Sequence, residues 1–273
     1  MPIPNGPRTY RELAELLRGQ IEGGERPPGA MLPTIKELME TYGLARQTVR
    51  AAIGQLAAEG LVRTVPREGT IVQARPERRR VRRNHVVTRR TPTPELPGMY
   101  IFPAAARPDE PWETHGDPYR SYESAPEVVT AQFGLEAGTN LLRRRRVMSP
   151  KGEPPFQIVD TWLSLRAVAD APRVAEEWTG PGGYLDRLEE AGHGPISWSE
   201  ITRVRMPSSE EADLLKIPVA LPVMEMILIG TSGSSGDALE VTIRVIPGDR
   251  VELVADLVRD ASAAWPREEV RDE

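Results

Sequence analysis

Two groups of side chains call for a partner outside the chain. The first is Arg46, Gln47, Thr48 and Arg50, four hydrogen-bonding residues within five positions. Arginine matches the O6 and N7 acceptors of guanine with two parallel bonds, glutamine suits adenine, and threonine hydroxyls bind phosphate. The second is Arg143-Arg144-Arg145-Arg146, four adjacent guanidinium groups inside a segment that reads as a strand. Successive strand side chains point to opposite faces, so Arg143 and Arg145 share one face and Arg144 and Arg146 the other. Any pair turned inward needs anions, supplied either by internal carboxylates or by a bound phosphate or carboxylate. Taken alone, the first group is equally an ordinary polar helix face, and the second equally a set of salt bridges.

The elements around the first group narrow the choice. Tyr10, Leu13, Leu17 and Ile21 recur at helical spacing and predict a helix from about Pro7 to Glu22, ended by Gly23-Gly24. Thr34-Ile35-Lys36-Glu37 fits a capping box that starts a second helix, and Gly43 stands where a left-handed C-terminal cap belongs. A third helix is expected from about Ala45 to Ala58, with Val49, Ile53 and Leu56 inward and Arg46, Gln47, Thr48 and Arg50 outward. Leu61–Val65 and Thr70–Val72, joined at Pro66-Arg67-Glu68-Gly69, predict a β-hairpin. Three helices and a hairpin in this order form a winged helix-turn-helix, whose third helix enters a DNA major groove.

The chain has 273 residues, enough for two domains. Residues 1–90 hold 17 Lys+Arg against 9 Asp+Glu, a net +8, which leaves −13 for the rest. A basic front on an acidic body points to a polyanion at one end and a different task at the other. There is no cysteine, so disulfides, thiolate zinc sites and thiol nucleophiles are excluded. No apolar run reaches the length of a membrane span and no leader pattern opens the chain, so a cytoplasmic protein without membrane contact is expected. Beyond residue 75, the arginine-rich and Pro/Thr-rich stretch 76–95 reads as a linker, and 96–124 gives no assignable pattern. Strands are expected at 141–148, 156–163, 201–206, 223–229, 239–246 and 251–258, with helices near 125–133, 184–190 and 209–215. Mostly consecutive strands imply an antiparallel sheet and an α+β class. The expected organisation is a DNA-binding unit (1–75), a linker (76–95), a ligand-binding and dimerising domain (96–262) and a tail (263–273).

The run from Pro28 to Leu38, with Arg46 to Ile53 and Leu56 to Val62, resembles the paired "PG…LPSEREL" and "RTTVREAL…L…EGL" signatures of the GntR family of bacterial transcriptional regulators. By that resemblance Lys36, Arg46, Thr48 and Arg50 fall on DNA-contacting positions, Gln47 joins them, and the wing tip with Arg67 and Gly69 enters the minor groove. Ala45 replaces the usual Ser or Thr cap of the third helix, and Arg67 replaces the first wing glycine. Phe133–Val147 with Gly152-Glu153-Pro154, and Ala238–Arg250, resemble the UTRA domain of the HutC subfamily, a chorismate-lyase-like fold. This likeness implies a small-molecule effector, of anionic or polar character, and assigns Arg144, Arg146, Asp160 and Glu240 to it. It also implies a homodimer on double-stranded operator DNA, most simply a repressor released by effector. Ile246 and Gly182-Gly183 depart from the sugar-phosphate-binding pattern. Two alternatives stay open: an operator-binding regulator without an effector, and a lyase-like enzyme domain fused to a DNA-binding module. His85, His115 and His193 suggest no catalytic centre or metal site, and no cofactor is expected.

Overall fold

The structure, a computed structural model, describes residues 6–73, 78–83, 87–89, 100–102, 110–263 and 265. Helix α1 (Tyr10–Glu22) begins later than Pro7 because Thr9 caps it: its hydroxyl accepts from the Glu12 N–H at 3.2 Å, and the Glu12 carboxylate accepts from the Arg8 and Thr9 N–H groups. Helix α2 (Ile35–Tyr42) starts on the expected Thr34–Glu37 capping box and stops at Gly43, whose φ of 68° is the left-handed cap. Helix α3 (Arg46–Ala58) follows after three residues, Gly43-Leu44-Ala45. Strands β1 (Val62–Val65) and β2 (Gly69–Val72) form the wing. The chain at 29–32 lies along β2, with Leu32 donating to Thr70 O at 2.7 Å and Val72 to Ala30 O at 2.8 Å. Leu13, Leu17, Leu38, Val49, Ile53, Leu56 and Val72 form one buried cluster, so each element's apolar stripe meets the others.

Next come β3 (Arg79–Arg82), β4 (Thr88–Arg89), β5 (Tyr100–Ile101), β6 (Trp112–Thr114), β7 (Tyr119–Ser124) and the short helix α4 (Glu127–Thr130). Then follow β8 (Asn140–Pro150), β9 (Gln157–Leu163), α5 (Leu165–Asp170), α6 (Gly183–Leu188), β10 (Ser197–Arg205), α7 (Ser209–Leu215), β11 (Val223–Thr231), β12 (Ala238–Pro247) and β13 (Val251–Val254). Seven strands form an antiparallel sheet in the order β10-β11-β12-β9-β8, with β6 and β7 both on the far edge of β8. One sheet face carries Ile158, Trp162, Ile227, Val241 and Ile243 against Val129 and Leu215 of α4 and α7. The opposite face packs Leu142, Leu163 and Leu239 against Ala167, Leu185 and Leu188 of α5 and α6. No helix among the described residues is long and apolar enough to cross a membrane.

The stretch expected to be a linker contains ordered strands. β3 runs parallel to β13, pairing Arg79–Arg82 with Val251–Val254. Its side chains alternate: Val81 is buried with Phe156, Met226, Ile246 and Val251, while Arg80 and Arg82 face out toward Glu252 and Asp256. Arg79 is buried and bonds Glu110 at 2.7 Å and Glu153 at 2.8 Å. A strand with one apolar residue among arginines carries too little hydrophobic alternation to register as a strand, and its acidic counterparts lie far away in sequence. Residues 96–124, which showed no pattern, supply β5, β6 and β7. Thr91–Pro94, His85 and the tail beyond residue 265 lie outside the described residues.

Candidate functional site

The first candidate surface is the outer face of α3. Arg46, Gln47 and Arg50 are exposed, Thr48 is half-buried, and Val49 and Ile53 on the reverse side are buried in the cluster that holds α1 and α2. Arg46 and Arg50 have no hydrogen bond or ion pair among the described residues, so their donors are available to an incoming acceptor. Lys36 is exposed on α2 and lies 3.8 Å from Glu40, a loose i,i+4 pair that competes weakly for the ammonium. Arg67 is exposed at the wing tip with φ 69°, a left-handed conformation unusual for a non-glycine residue. Gly69, at φ 121°, sits so close to Met31 that a Cβ would lie 2.9 Å from its Cε. The exposed Met31 methyl could move aside, so it is the positive φ that favours glycine at 69.

Ala45 stands at the N-cap of α3 with no side-chain hydrogen bond to the first turn. The free N–H groups there remain open to a phosphate, with the helix dipole behind them. Ala45→Ser is expected to stabilise the N-terminal unit by about 1 kcal/mol. Thermal melts of the two proteins measure it; an unchanged midpoint would show that this end of α3 is not limited by its missing cap.

The second candidate surface is the sheet face under α5 and α6. Residues directly opposite on neighbouring strands point to the same side. The pairings give rows: Leu142, Leu163 and Glu240; Arg144, Thr161 and Thr242; Arg146, Val159 and Arg244. Arg144, Arg146 and Glu240 therefore share one face, and Arg146 and Arg244 stand two strands apart, about 10 Å between backbones. Glu240 is fully buried. Its carboxylate accepts from the Tyr184 hydroxyl at 2.6 Å, the Thr242 hydroxyl at 2.8 Å and the Trp198 indole N–H at 3.2 Å. Burial pushes the Glu240 carboxyl above its ordinary range against the pull of these donors, and burial with the nearby Glu240 raises the Tyr184 hydroxyl too. Gly230 makes this packing feasible, since a Cβ there would stand 2.6 Å from Glu240 Cγ.

The arginines on this face differ. Arg144 spends its donors on backbone carbonyls of the 174–177 segment, bonding Val174 O at 2.9 Å, Glu176 O at 2.7 Å and Glu177 O at 3.3 Å. Burial, with Arg146 and Arg120 nearby, lowers its pKa. It braces a loop rather than facing an opening. Arg146 is exposed and makes no hydrogen bond or ion pair among the described residues, while its charge acts on both Tyr184 and Arg244. Arg244 lies over the Phe102 ring at 5.8 Å, and its pKa is lowered by burial. Arg83, just past β3, pairs with Glu200; its Nη1 is buried without a partner among the described residues, and burial and Arg244 both depress its pKa. Several cations thus gather around one buried carboxylate. Arg244 could have been found by alternation, four residues after Glu240 on the same strand face. Nothing local in the sequence signals Arg83.

Asp160 is not brought to this group. It opposes Arg145 across β8 and β9 and points to the other face, where Arg145 bonds both its oxygens at 2.8 and 2.9 Å and Arg143 both at 3.0 Å. Glu123 and Glu210 complete the cluster. Burial pushes the Asp160 carboxyl up to about 6, with Arg145 pulling the other way. Of the arginine run, the pair Arg143 and Arg145 is the internally neutralised one. His193 is buried between Asp170 (3.1 Å) and Ser232 (3.2 Å). This arrangement resembles a nucleophile-base-acid relay, but Ser232 Oγ is buried and bonded to Ser234, the Ser235 N–H and His193 O. It pins the β11–β12 loop.

The profile for bacterial regulatory proteins of the gntR family matches residues 9–72, and the UTRA domain profile matches residues 119–252. An uncharacterized HTH-type transcriptional regulator of Streptomyces coelicolor is 28% identical over 273 residues, covering 96% of this chain and 92% of its own. The mannosyl-D-glycerate transport/metabolism system repressor MngR of Escherichia coli is 26% identical over 227 residues, covering 81% and 84%. A crystal structure of a GntR-family transcriptional regulator superposes with a TM-score of 0.56 at 24% identity, covering 92% of this chain and 98% of that one, which supports the fold. The winged helix-turn-helix at one end and the antiparallel α+β domain at the other are thus those of known regulators rather than of an enzyme. The chain belongs to the GntR family of DNA-binding transcriptional regulators, in the HutC subfamily that carries a UTRA domain.

Proposed function

We propose that this protein is a homodimeric operator-binding repressor whose grip on DNA is loosened by a small anionic metabolite held on the sheet face of Arg146, Arg244 and Glu240. The observation that carries this reading is Arg146: an exposed guanidinium without a partner among the described residues, set beside the buried Glu240–Tyr184 pair. An anion bonded to Arg146 would gain a charge-assisted contact that no internal group supplies. Glu240, buried and already accepting three hydrogen bonds, would hold Tyr184 and Trp198 in place beside that anion. The relatives include repressors, which favours repression over activation. Two-fold dimers engage both half-sites of a palindromic operator, since one winged helix spans only a few base pairs.

A ligand shifts operator affinity only by its differential affinity for the two arrangements, typically about 1–3 kcal/mol or about 5–150-fold. A panel of phosphorylated and carboxylated metabolites, added to the protein on a fluorescent operator duplex, should include one that weakens binding by this amount. Arg146→Ala should lose that response while keeping ligand-free operator affinity. A parent that responds to no member of the panel, and shows no rise in melting temperature with any, would favour a regulator that works without an effector. A fully responsive Arg146→Ala protein would move the ligand elsewhere.

A further inference from the structure

Strand β10 forms one edge of the seven-stranded sheet, and no strand among the described residues covers its outer side. Rows of apolar side chains run across the sheet to this edge and stop there exposed. On one face, Ile243 and Ile227 are buried, and Ile201 beyond them is 46% exposed. On the other, Ile246 is buried, Met224 is partly buried, and Val204 beyond them is 69% exposed. Soluble proteins blunt a free edge with charge, proline or a covering element, because a row of unpaired N–H and C=O groups is a template for pairing. A nine-residue edge ending two apolar rows has the form of half an interface.

Resting on the dimer reading above, we propose that two copies of the chain join through β10, paired antiparallel about a two-fold axis at Ile201. The strand is self-complementary in this register. Ile201 meets Ile201 of the second copy, and Trp198 meets Val204. Arg203 falls opposite Ser199, Arg205 opposite Ser197, and Glu200 opposite Thr202. No like charges face each other. Registers that keep the two sheet faces aligned differ by one residue in the dyad position. Centring on Glu200 opposes two glutamates, centring on Thr202 sets Ile201 against arginine, and centring on Arg203 opposes two arginines; each is disfavoured. Charge does not oppose the same edge: residues 91–273 carry a net −13, but on β10 Arg203 and Arg205 are paired with Glu225 and Glu211, and Glu200 with Arg83. Two acidic bodies meet there on a locally neutralised strand. The pairing also sets Val204 of the second copy against Trp198, which bonds Glu240, so each candidate effector face would abut the dimer seam.

The chain has no cysteine, so a single introduced thiol reports its own position. At the dyad, opposed backbones stand about 4.5–5.5 Å apart, within disulfide range. At neighbouring Thr202 the two thiols would be offset by two residues, beyond about 7 Å. Full-length Ile201→Cys, Thr202→Cys and Val219→Cys proteins are to be oxidised mildly and run on non-reducing gels, beside sedimentation of the parent. Val219 is an exposed site off the strand. The expected result is a dimeric parent, with Ile201→Cys converted to covalent dimer at least tenfold faster than either control. A dimeric parent whose Ile201→Cys variant links no faster than the controls overturns the β10 interface and leaves the dimer reading standing. A monomeric parent overturns both.

Discussion

The double replacement Arg46→Ala/Arg50→Ala is expected to weaken operator binding by about 2–6 kcal/mol, roughly 30-fold to 10⁴-fold, with no loss of folding stability. Each arginine that grips a base edge or phosphate contributes about 1–3 kcal/mol, and residues one helical turn apart need not add independently. Both project from the exposed face of α3, and neither has a hydrogen bond or ion pair among the described residues. Their removal therefore strands no internal group. The measurement is fluorescence anisotropy on a duplex selected by the parent protein, at one stated salt concentration, because affinity falls steeply with salt. Lys36→Ala should lower the slope of log affinity against log salt without changing sequence preference, as a phosphate contact would. A double variant that bound as tightly as the parent would remove α3 from the groove.

The N-terminal unit was legible in the sequence because its signals are local. The capping box at Thr34–Glu37, the left-handed Gly43 and the uncapped Ala45 each follow from residues within a few positions. The inward and outward sides of α3 follow from its own periodicity. In the C-terminal region β9, β11 and β12, with apolar residues along most of their length, were legible for the same reason, and β8 from Leu141-Leu142 and Val147-Met148 on either side of its arginines. What stayed hidden depends on distant partners. β3 is a strand because β13 lies beside it and because Val81 meets Phe156 and Ile246. Alternation along β8 correctly separated Arg143 and Arg145 from Arg144 and Arg146, but it carries no information on where a guanidinium ends. Arg144 turns to carbonyls some thirty residues away, and Asp160 is a partner of the opposite pair. A strand pattern assigns a face; the loops and helices folded over that face decide which groups remain open to a ligand.

The same dependence on distant partners predicts that Arg205→Met costs about 1–3 kcal/mol of folding stability, the range for leaving a buried polar group short of one partner. Arg205 ends β10 and ties three elements together. Its Nε bonds Glu225 on β11, and its two terminal nitrogens bond Glu211 of α7 at 2.7 and 2.6 Å. Glu225 is buried, so losing Arg205 leaves a carboxylate in the sheet with Arg203 as its remaining bonded cation. Methionine preserves most of the apolar stem, which separates the lost charge from lost packing. Burial pushes the Glu211 carboxyl up, yet the bonds from Arg205 and the Ser208 N–H leave it below its ordinary value. A carboxyl depressed by folding adds stability that is present above its unfolded pKa and fades as pH falls through its folded one. The gap between parent and Arg205→Met should therefore be full at pH 7 and narrow in acid, below the ordinary carboxylate range. Denaturant titrations at pH 7 and pH 2.5 measure both points. A double variant, Arg205→Met/Glu225→Leu, should regain part of the loss, because the buried carboxylate that had lost one of its two cations is replaced by an apolar side chain. A single variant as stable as the parent at pH 7 would show that Arg203 alone satisfies Glu225.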